Sequence, residues 1–150
     1  MLPGGNCSEK HRGIIHYYLA IVAKETVMGY TADYADVEPT RTEIDAIAGP
    51  LLLEFGAPWC PHCQEVQSTL TELLGRFPEV RHVKIYDAKG QPLGRSFRVK
   101  LWPNLVFMRD GKVARQMARP SEDKILDGVH AIAKEPRTQR GLRPQPNEGE

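Results

Sequence analysis

Two cysteines, Cys60 and Cys63, stand two residues apart with Pro61 and His62 between them, in the stretch EFGAPWCPHCQEV from Glu54 to Val66. A pair at this spacing has three uses: holding a metal, stapling a loop, or passing electrons. A structural zinc site needs four ligands, commonly two such pairs or one pair with a paired-histidine motif. The sequence holds no second pair, and His82 and His130 stand isolated, so the pattern does not make a zinc site. A static disulfide around so small a loop would remove little entropy from the unfolded chain. Thiol–disulfide exchange is left, chemistry that needs no metal or organic cofactor in the protein itself.

The elements around the pair are suited to that chemistry. The run LLLEF, Leu51 to Phe55, is apolar at almost every position, as a strand covered on both faces would be. After Cys60, the positions Val66, Leu70, Leu73, Leu74 and Phe77 recur at helical spacing, and Pro78 ends the predicted helix. Cys60 then falls at a helix N-terminus, where unpaired N–H groups and the macrodipole favour a negative sulfur. Pro61 suits the first turn, having no N–H to leave unpaired. The attacking species is the thiolate, and an imidazolium beside it, as at His62, favours it further. Cys63, one turn along, would be more buried yet able to attack a mixed disulfide at Cys60. Cys60 is therefore the expected nucleophile and Cys63 the resolving thiol.

Other segments complete an alternating pattern. Thr40-Arg41-Thr42-Glu43 has capping-box spacing, with Ile44, Ile47 and Ala48 forming a short helical face that Gly49-Pro50 ends. A second strand is expected at Val80 to Tyr86 and a short helix around Gln91 to Phe97. Leu105 to Met108 and Lys112 to Met117 flank Arg109-Asp110-Gly111, a tight-hairpin signal. Ser121 is expected to cap the last helix, with Glu122 and Asp123 in its first turn and Ile125, Leu126, Val129 and Ile132 on one face. The order predicts an α/β protein, a central mixed β-sheet flanked by helices.

The run FGAPWCPHC resembles the active-site segment of the thioredoxin family, which carries Trp-Cys-x-x-Cys after the same buried strand. LWPNLVFMRDGKV, Leu101 to Val113, is similar to that family's second signature of a cis-proline, an apolar strand and a glycine-ended hairpin. Two separated matches in the right order, covering roughly Thr31 to Lys134, are far more specific than Cys-x-x-Cys alone. The resemblance implies a thioredoxin fold and reduction of protein disulfides. It also implies that Trp59 flanks the nucleophile and that Pro103 is a cis-proline facing the cysteines, with the backbone beside it pairing with the substrate peptide. On sequence alone Pro103 reads as a strand-start proline, since most X–Pro bonds are trans, and the cis expectation rests on the resemblance. Glu54 falls where the family has a buried acid behind the resolving cysteine, able to relay its proton; the alternative is a strand glutamate reaching solvent. Lys84 is either that acid's partner or a surface lysine.

Departures from the family pattern carry expectations too. Pro61-His62 replaces the usual Gly-Pro of thioredoxins and resembles the dipeptide of bacterial periplasmic disulfide oxidases, which would make the disulfide more oxidising. Those oxidases carry a helical insertion that Gln64 to Trp102 has no room for. Trp102 is bulkier than the family's usual residue before the proline, and would either narrow the substrate groove or pack against Trp59. Around Met117 to Pro120 there is no clear match to the glycine of the family's substrate-facing loop.

Length and charge bound the rest. A chain of 150 residues with 41% hydrophobic and 26% charged residues fits a globular domain able to bury its own core. Twenty basic and 19 acidic side chains leave a net charge of +1, with no general attraction to nucleic acid or anionic lipid. Arg95, Arg98 and Lys100 read as a solvated face that could steer an acidic partner. Of three cysteines, Cys7 is read as a bystander. Residues 1–27 read as an N-terminal extension, either upstream of a natural start at Met28 or a weak secretory-signal pattern around Ile14 to Ala23. Residues 28–134 form the expected domain, and 135–150, without apolar periodicity, a disordered tail.

The function these readings favour is an enzyme, a thiol–disulfide oxidoreductase reducing protein disulfides, with disulfide oxidation or isomerisation as a variant. The rival is a binding adaptor on the same fold with incidental thiols. Expected partners are disulfide-containing client proteins and an electron donor, a flavoprotein reductase or a small thiol. The expected state is a monomer, and the expected location the cytoplasm, or the periplasm should the leader be a signal.

Overall fold

The structure, a computed structural model, describes residues 29–133. The expectations for the leader, Cys7, Met28 and the C-terminal tail lie outside these residues. In chain order the elements are α1 (Arg41–Asp45), β1 (Pro50–Gly56), α2 (Pro61–Glu65), α3 (Gln67–Arg76), β2 (Arg81–Tyr86), α4 (Pro92–Ser96), β3 (Asn104–Arg109), β4 (Lys112–Ala118) and α5 (Glu122–Ile132). The strands form one mixed sheet in the order β2-β1-β3-β4. β1 runs parallel to β2 and antiparallel to β3, and β3 and β4 form the hairpin. At its tip Asp110 and Gly111 have φ of 49° and 76°, the left-handed pair that a two-residue hairpin turn needs.

Both faces of the sheet are covered, which is why LLLEF is apolar at every position except Glu54. Leu52, Leu105 and Phe107 pack with Leu70 and Leu74 of α3 and Ile125, Val129 and Ile132 of α5. On the other face, Leu51, Leu53, Phe55, Ile85 and Val106 pack with Ile44, Leu93 and Phe97. Strand alternation sends Glu54 to the same side as Leu52, towards α3. The outer edge of β2 is covered by the preceding segment, through bridges at Gly29–Arg81 and Tyr34–Lys84 and a 2.9 Å bond from Ala35 N to the Lys84 carbonyl. No helix among the described residues is long and apolar enough to cross a membrane.

Three local expectations need correction. The capping box at Thr40 forms, with Glu43 N donating to Thr40 Oγ1 at 3.2 Å and Thr40 N to Glu43 Oε2 at 2.7 Å. The helix it opens ends at Asp45 rather than at Gly49. Gly49 is drawn to the hairpin instead, donating to Asp110 Oδ1 at 2.7 Å and accepting from Asp110 N at 3.1 Å. The single helix expected after Cys60 is two, broken at Val66. The Gln67 side-chain amide donates to the Cys63 carbonyl at 2.6 Å, taking the acceptor that Gln67's own backbone N–H would use in an unbroken helix. Ser121 occupies the N-cap position of α5 but its side chain makes no capping bond.

Candidate active site

Cys60 is the N-cap of α2 and Pro61 its first helical residue. Extended backbone at Cys60, φ −77° and ψ 115°, turns its sulfur back over the helix start. There Cys60 Sγ accepts a hydrogen bond from Cys63 N at 3.3 Å. An N–H aimed at sulfur is the contact that best serves an anion. Both cysteines are free thiols, and Cys63 is the deeper, at 2% exposure against 8% for Cys60. They pack with Ala57, Tyr86 and Trp102. Gly56 lets Cys63 approach β1, since a Cβ there would lie 2.6 Å from Cys63 Sγ.

The two thiols differ in proton affinity as well as depth. Burial pushes the Cys63 thiol up to about 12, helped by its hydrogen bond to Cys60 and the charges of Cys60 and Glu54, against a smaller lowering by the Ala57 backbone. At neutral pH Cys63 therefore holds its proton and needs a base to act as a nucleophile.

Glu54 is the carboxylate at hand, and it is fully buried. Its Oε1 accepts from Gln67 Nε2 at 2.7 Å, and its Oε2 lies 3.1 Å from His82 Nε2. Thr31 N donates to His82 Nδ1 at 3.0 Å. A backbone N–H can only donate, so this imidazole carries its proton on Nε2 and donates it to Glu54. The Tyr30 ring stacks on His82 with centroids 5.6 Å apart. Gln67 is the hub, because its other end, Oε1, accepts from Tyr30 Oη at 2.9 Å and Lys84 Nζ at 3.0 Å. Lys84 Nζ also donates to the Ala32 carbonyl at 2.9 Å. Lys84 is thus neither a surface lysine nor a direct partner of Glu54; Gln67 takes its ammonium and His82 takes its place. Burial, together with the charges of Glu54 and the cysteines, pushes the nearby Tyr34 phenol well above its ordinary value.

The outer wall is aromatic. The Trp102–Pro103 peptide bond is cis. Trp59, 64% exposed, meets Tyr86 edge-on at 5.3 Å, whereas Trp102 donates its indole N–H to Asp87 Oδ2 at 2.9 Å. Trp59 therefore finds its ring partner in Tyr86 rather than Trp102. Arg119, at φ 48°, sits against the same loop, with its N donating to the Pro103 carbonyl at 2.8 Å and its Nε to the Trp102 carbonyl at 2.9 Å. His62 is half exposed and its ring pairs with Glu65 at 3.3 Å, so its observed partner is a carboxylate on its own helix.

Cys60, Cys63 and Trp102 thus share one cluster, with Pro61 opening the helix at Cys60, Glu54 linked to Cys63 through Gln67 and the cis-bonded Pro103 following Trp102, while Trp59 and His62 are exposed. Sequence reasoning missed His82, Gln67, Asp87 and Arg119. A signal for His82 existed: in RHVKIY, residues 82 and 84 alternate with the apolar Val83 and Ile85, and the register pairs Leu52 with His82 and Glu54 with Lys84. Two polar residues on a buried strand face, opposite a lone acid, call for one another. Among the described residues no group of three or more His, Cys, Asp or Glu side chains could hold a metal ion.

Comparison with known proteins gives the same outline. Residues 36–131 match the family model described as Thioredoxin. The chain is 28% identical to thioredoxin H5 of Arabidopsis thaliana over 75 residues, which cover 50% of this chain and 64% of that protein. It is 32% identical to the mitochondrial thioredoxin-3 of Saccharomyces cerevisiae over 79 residues, 53% of this chain and 62% of that protein. The match thus spans less than two thirds of these relatives' own length. The structure of thioredoxin 2 from Pseudomonas aeruginosa in its reduced form is similar at 43% identity and a TM-score of 0.58, covering 67% of this chain and 98% of that one.

Proposed function

Since the chain belongs to the thioredoxin family, we propose that it is a thiol–disulfide oxidoreductase that reduces protein disulfides through Cys60 and Cys63. The observation that carries this reading is the hydrogen bond from Cys63 N to Cys60 Sγ at the start of α2, with a second free thiol one turn behind it. In the first step the Cys60 thiolate attacks a client disulfide. A Cys60–client S–S bond forms, the client's S–S bond breaks, and one client thiolate leaves to take a proton from solvent. In the second, Cys63 gives its proton to Glu54 and attacks Cys60 Sγ. The Cys60–Cys63 disulfide forms and the second client thiolate leaves, so the client gains the two electrons that the protein loses. Glu54 returns the proton when a donor, a flavoprotein reductase or a small thiol, next reduces the pair. In this reading the protein works as a monomer in the cytoplasm, where such a donor keeps thiols reduced.

Two single variants test the reading with a disulfide-bonded test protein and a dithiol reductant. Cys60→Ser should abolish turnover, and Cys63→Ser should accumulate a covalent complex with the test protein, visible on a non-reducing gel. An adaptor with incidental thiols would show neither effect.

A further inference from the structure

The resolving step asks Glu54 to take a proton from a thiol while buried from water. A carboxylate buried from water needs hydrogen-bond donors, since an unpaired buried charge is costly. The cation nearest in sequence register, Lys84, does not supply one, since its ammonium is held by Gln67 Oε1 and the Ala32 carbonyl. Glu54 receives two donors, Gln67 Nε2 on Oε1 and His82 Nε2 on Oε2. Of these, His82 has its tautomer set from outside the site. Its side chain is fully buried and its Nδ1 is occupied by the Thr31 N–H. With Nδ1 so engaged, the imidazole cannot accept a proton from Glu54 without losing that bond, so it can donate to the carboxylate but not relay.

We propose that His82 is a positioning residue for resolution: through its Nε2–H it holds the Glu54 carboxylate and aims it as the acceptor of the Cys63 proton. Gln67 couples the same carboxylate to the attacking residue, its Nε2 donating both to Glu54 Oε1 and to the Cys63 carbonyl. The titratable groups facing this carboxylate are Cys63 and Cys60 from α2 and its cap, Tyr34 from the segment beside β2, and His82 of β2, with Lys84 and Tyr30 reaching it through Gln67. Cys60, Cys63 and Tyr34, once charged, would oppose the anion, which leaves the donors to keep it available. The inference rests on the dithiol reading above.

The test is a stopped-flow reaction of the reduced protein with one equivalent of an aromatic disulfide, 5,5′-dithiobis(2-nitrobenzoate). Attack by Cys60 releases one coloured thiolate, and attack by Cys63 on the resulting mixed disulfide releases the second. In His82→Leu the first release should stay within about twofold of the parent. The second should slow about tenfold at pH 7, with its rise against pH moved upward by about one unit, the size expected for one hydrogen bond to a charged group. His82→Gln, which restores an amide donor, should recover most of both effects. A second release in His82→Leu with the parent's rate and pH profile would overturn the role of His82. Absence of either release in the parent would instead sink the dithiol reading. Should His82→Leu not fold, nitrogen NMR of the parent decides: a proton on Nε2 with Nδ1 bare is expected, and the opposite tautomer or an imidazolium overturns the proposal.

Discussion

Glu54 and Lys84 are direct cross-strand partners in the parallel pairing of β1 and β2, yet their charges do not meet. Gln67 stands between them, accepting from the lysine at 3.0 Å with its oxygen and donating to the glutamate at 2.7 Å with its nitrogen. An amide is the side chain that can satisfy an ammonium and a carboxylate at once, because it carries an acceptor and a donor at opposite corners. Gln67→Leu should therefore cost more than its own contacts, leaving a buried ammonium and a buried carboxylate each one bond short, a loss of roughly 2 kcal/mol or more. Adding Lys84→Met should return part of that loss, since it removes one of the two orphaned charges. Denaturant unfolding of the two single variants and the double variant measures the coupling, and strictly additive losses would contradict the arrangement.

Glu54→Gln keeps the size of the side chain but cannot take a proton. The second thiolate release should slow about 100-fold at pH 7, the lower end of what a positioned general base contributes. The deficit should shrink as pH rises towards about 12, where Cys63 ionises without help. The first release, which belongs to Cys60, is the internal control that the site is still folded. A constant deficit at every pH would mean that Glu54 shapes the site without moving the proton.

What the sequence made legible divides by the range of the interactions. The buried strand, the capping box at Thr40 and the hairpin at Asp110-Gly111 follow from residues a few positions apart, and the structure has all three. The break at Val66 does not, because it depends on a side chain from Gln67 that has a buried acid to serve on another element. The helix opened at Thr40 likewise stops at Asp45, short of Gly49, whose backbone bonds to Asp110, a partner 61 residues away. The cysteine pair is legible in its motif, but the partner of Glu54 is not: the sequence leaves Lys84 open as that partner or as a surface lysine, and the structure makes it neither. Register alone favours Lys84; only the amide on the opposing helix makes His82 the donor.

The raised Cys63 thiol has a consequence for stability. Its ordinary value of 9.0 becomes about 12 in the folded reduced protein. Above pH 9 the unfolded chain thus releases a proton that the folded one retains, and stability falls as pH rises. The contribution is fully present below pH 9 and is lost progressively up to about 12, with the Tyr34 phenol, also raised, acting in the same direction. Reduced Cys63→Ala should lose stability less steeply than the parent over that window in urea unfolding at stepped pH. Equal slopes would show that the folded thiol ionises as freely as the unfolded one.

Gly56 is positioned at the closest approach of β1 to the resolving sulfur. In Gly56→Ala the new Cβ would fall 2.6 Å from Cys63 Sγ and 3.5 Å from Tyr34 Oη, so the sulfur has to move. Displacement by a fraction of an ångström should slow attack on the mixed disulfide about tenfold or more, because such steps depend steeply on alignment. Cys60, held from the other side by the Cys63 N–H, should keep its first-release rate. Liquid chromatography and mass spectrometry of quenched samples should show the mixed disulfide lasting longer than in the parent, and an unchanged lifetime would refute this account.

Trp102 stands beside the cysteine pair as a bulky ring whose indole N–H is tied to Asp87. The indole packs with Tyr86 on the Ala57–Cys60–Cys63 cluster, while its N–H is held by Asp87 Oδ2 at 2.9 Å. A large ring fixed in that way should hinder bulky client segments more than small disulfides. Trp102→Ala should raise kcat/KM for a folded disulfide-bonded protein about tenfold relative to that for glutathione disulfide, the scale on which a changed apolar wall discriminates between substrates. The same variant leaves the half-buried Asp87 carboxylate without its donor and should cost about 1–3 kcal/mol of stability. Trp102→Phe separates the two effects, since it keeps most of the ring and loses only the N–H. It should show the stability loss with little change in substrate preference, and a preference altered as much as in Trp102→Ala would mean that the hydrogen bond, not the bulk, sets the width of the groove.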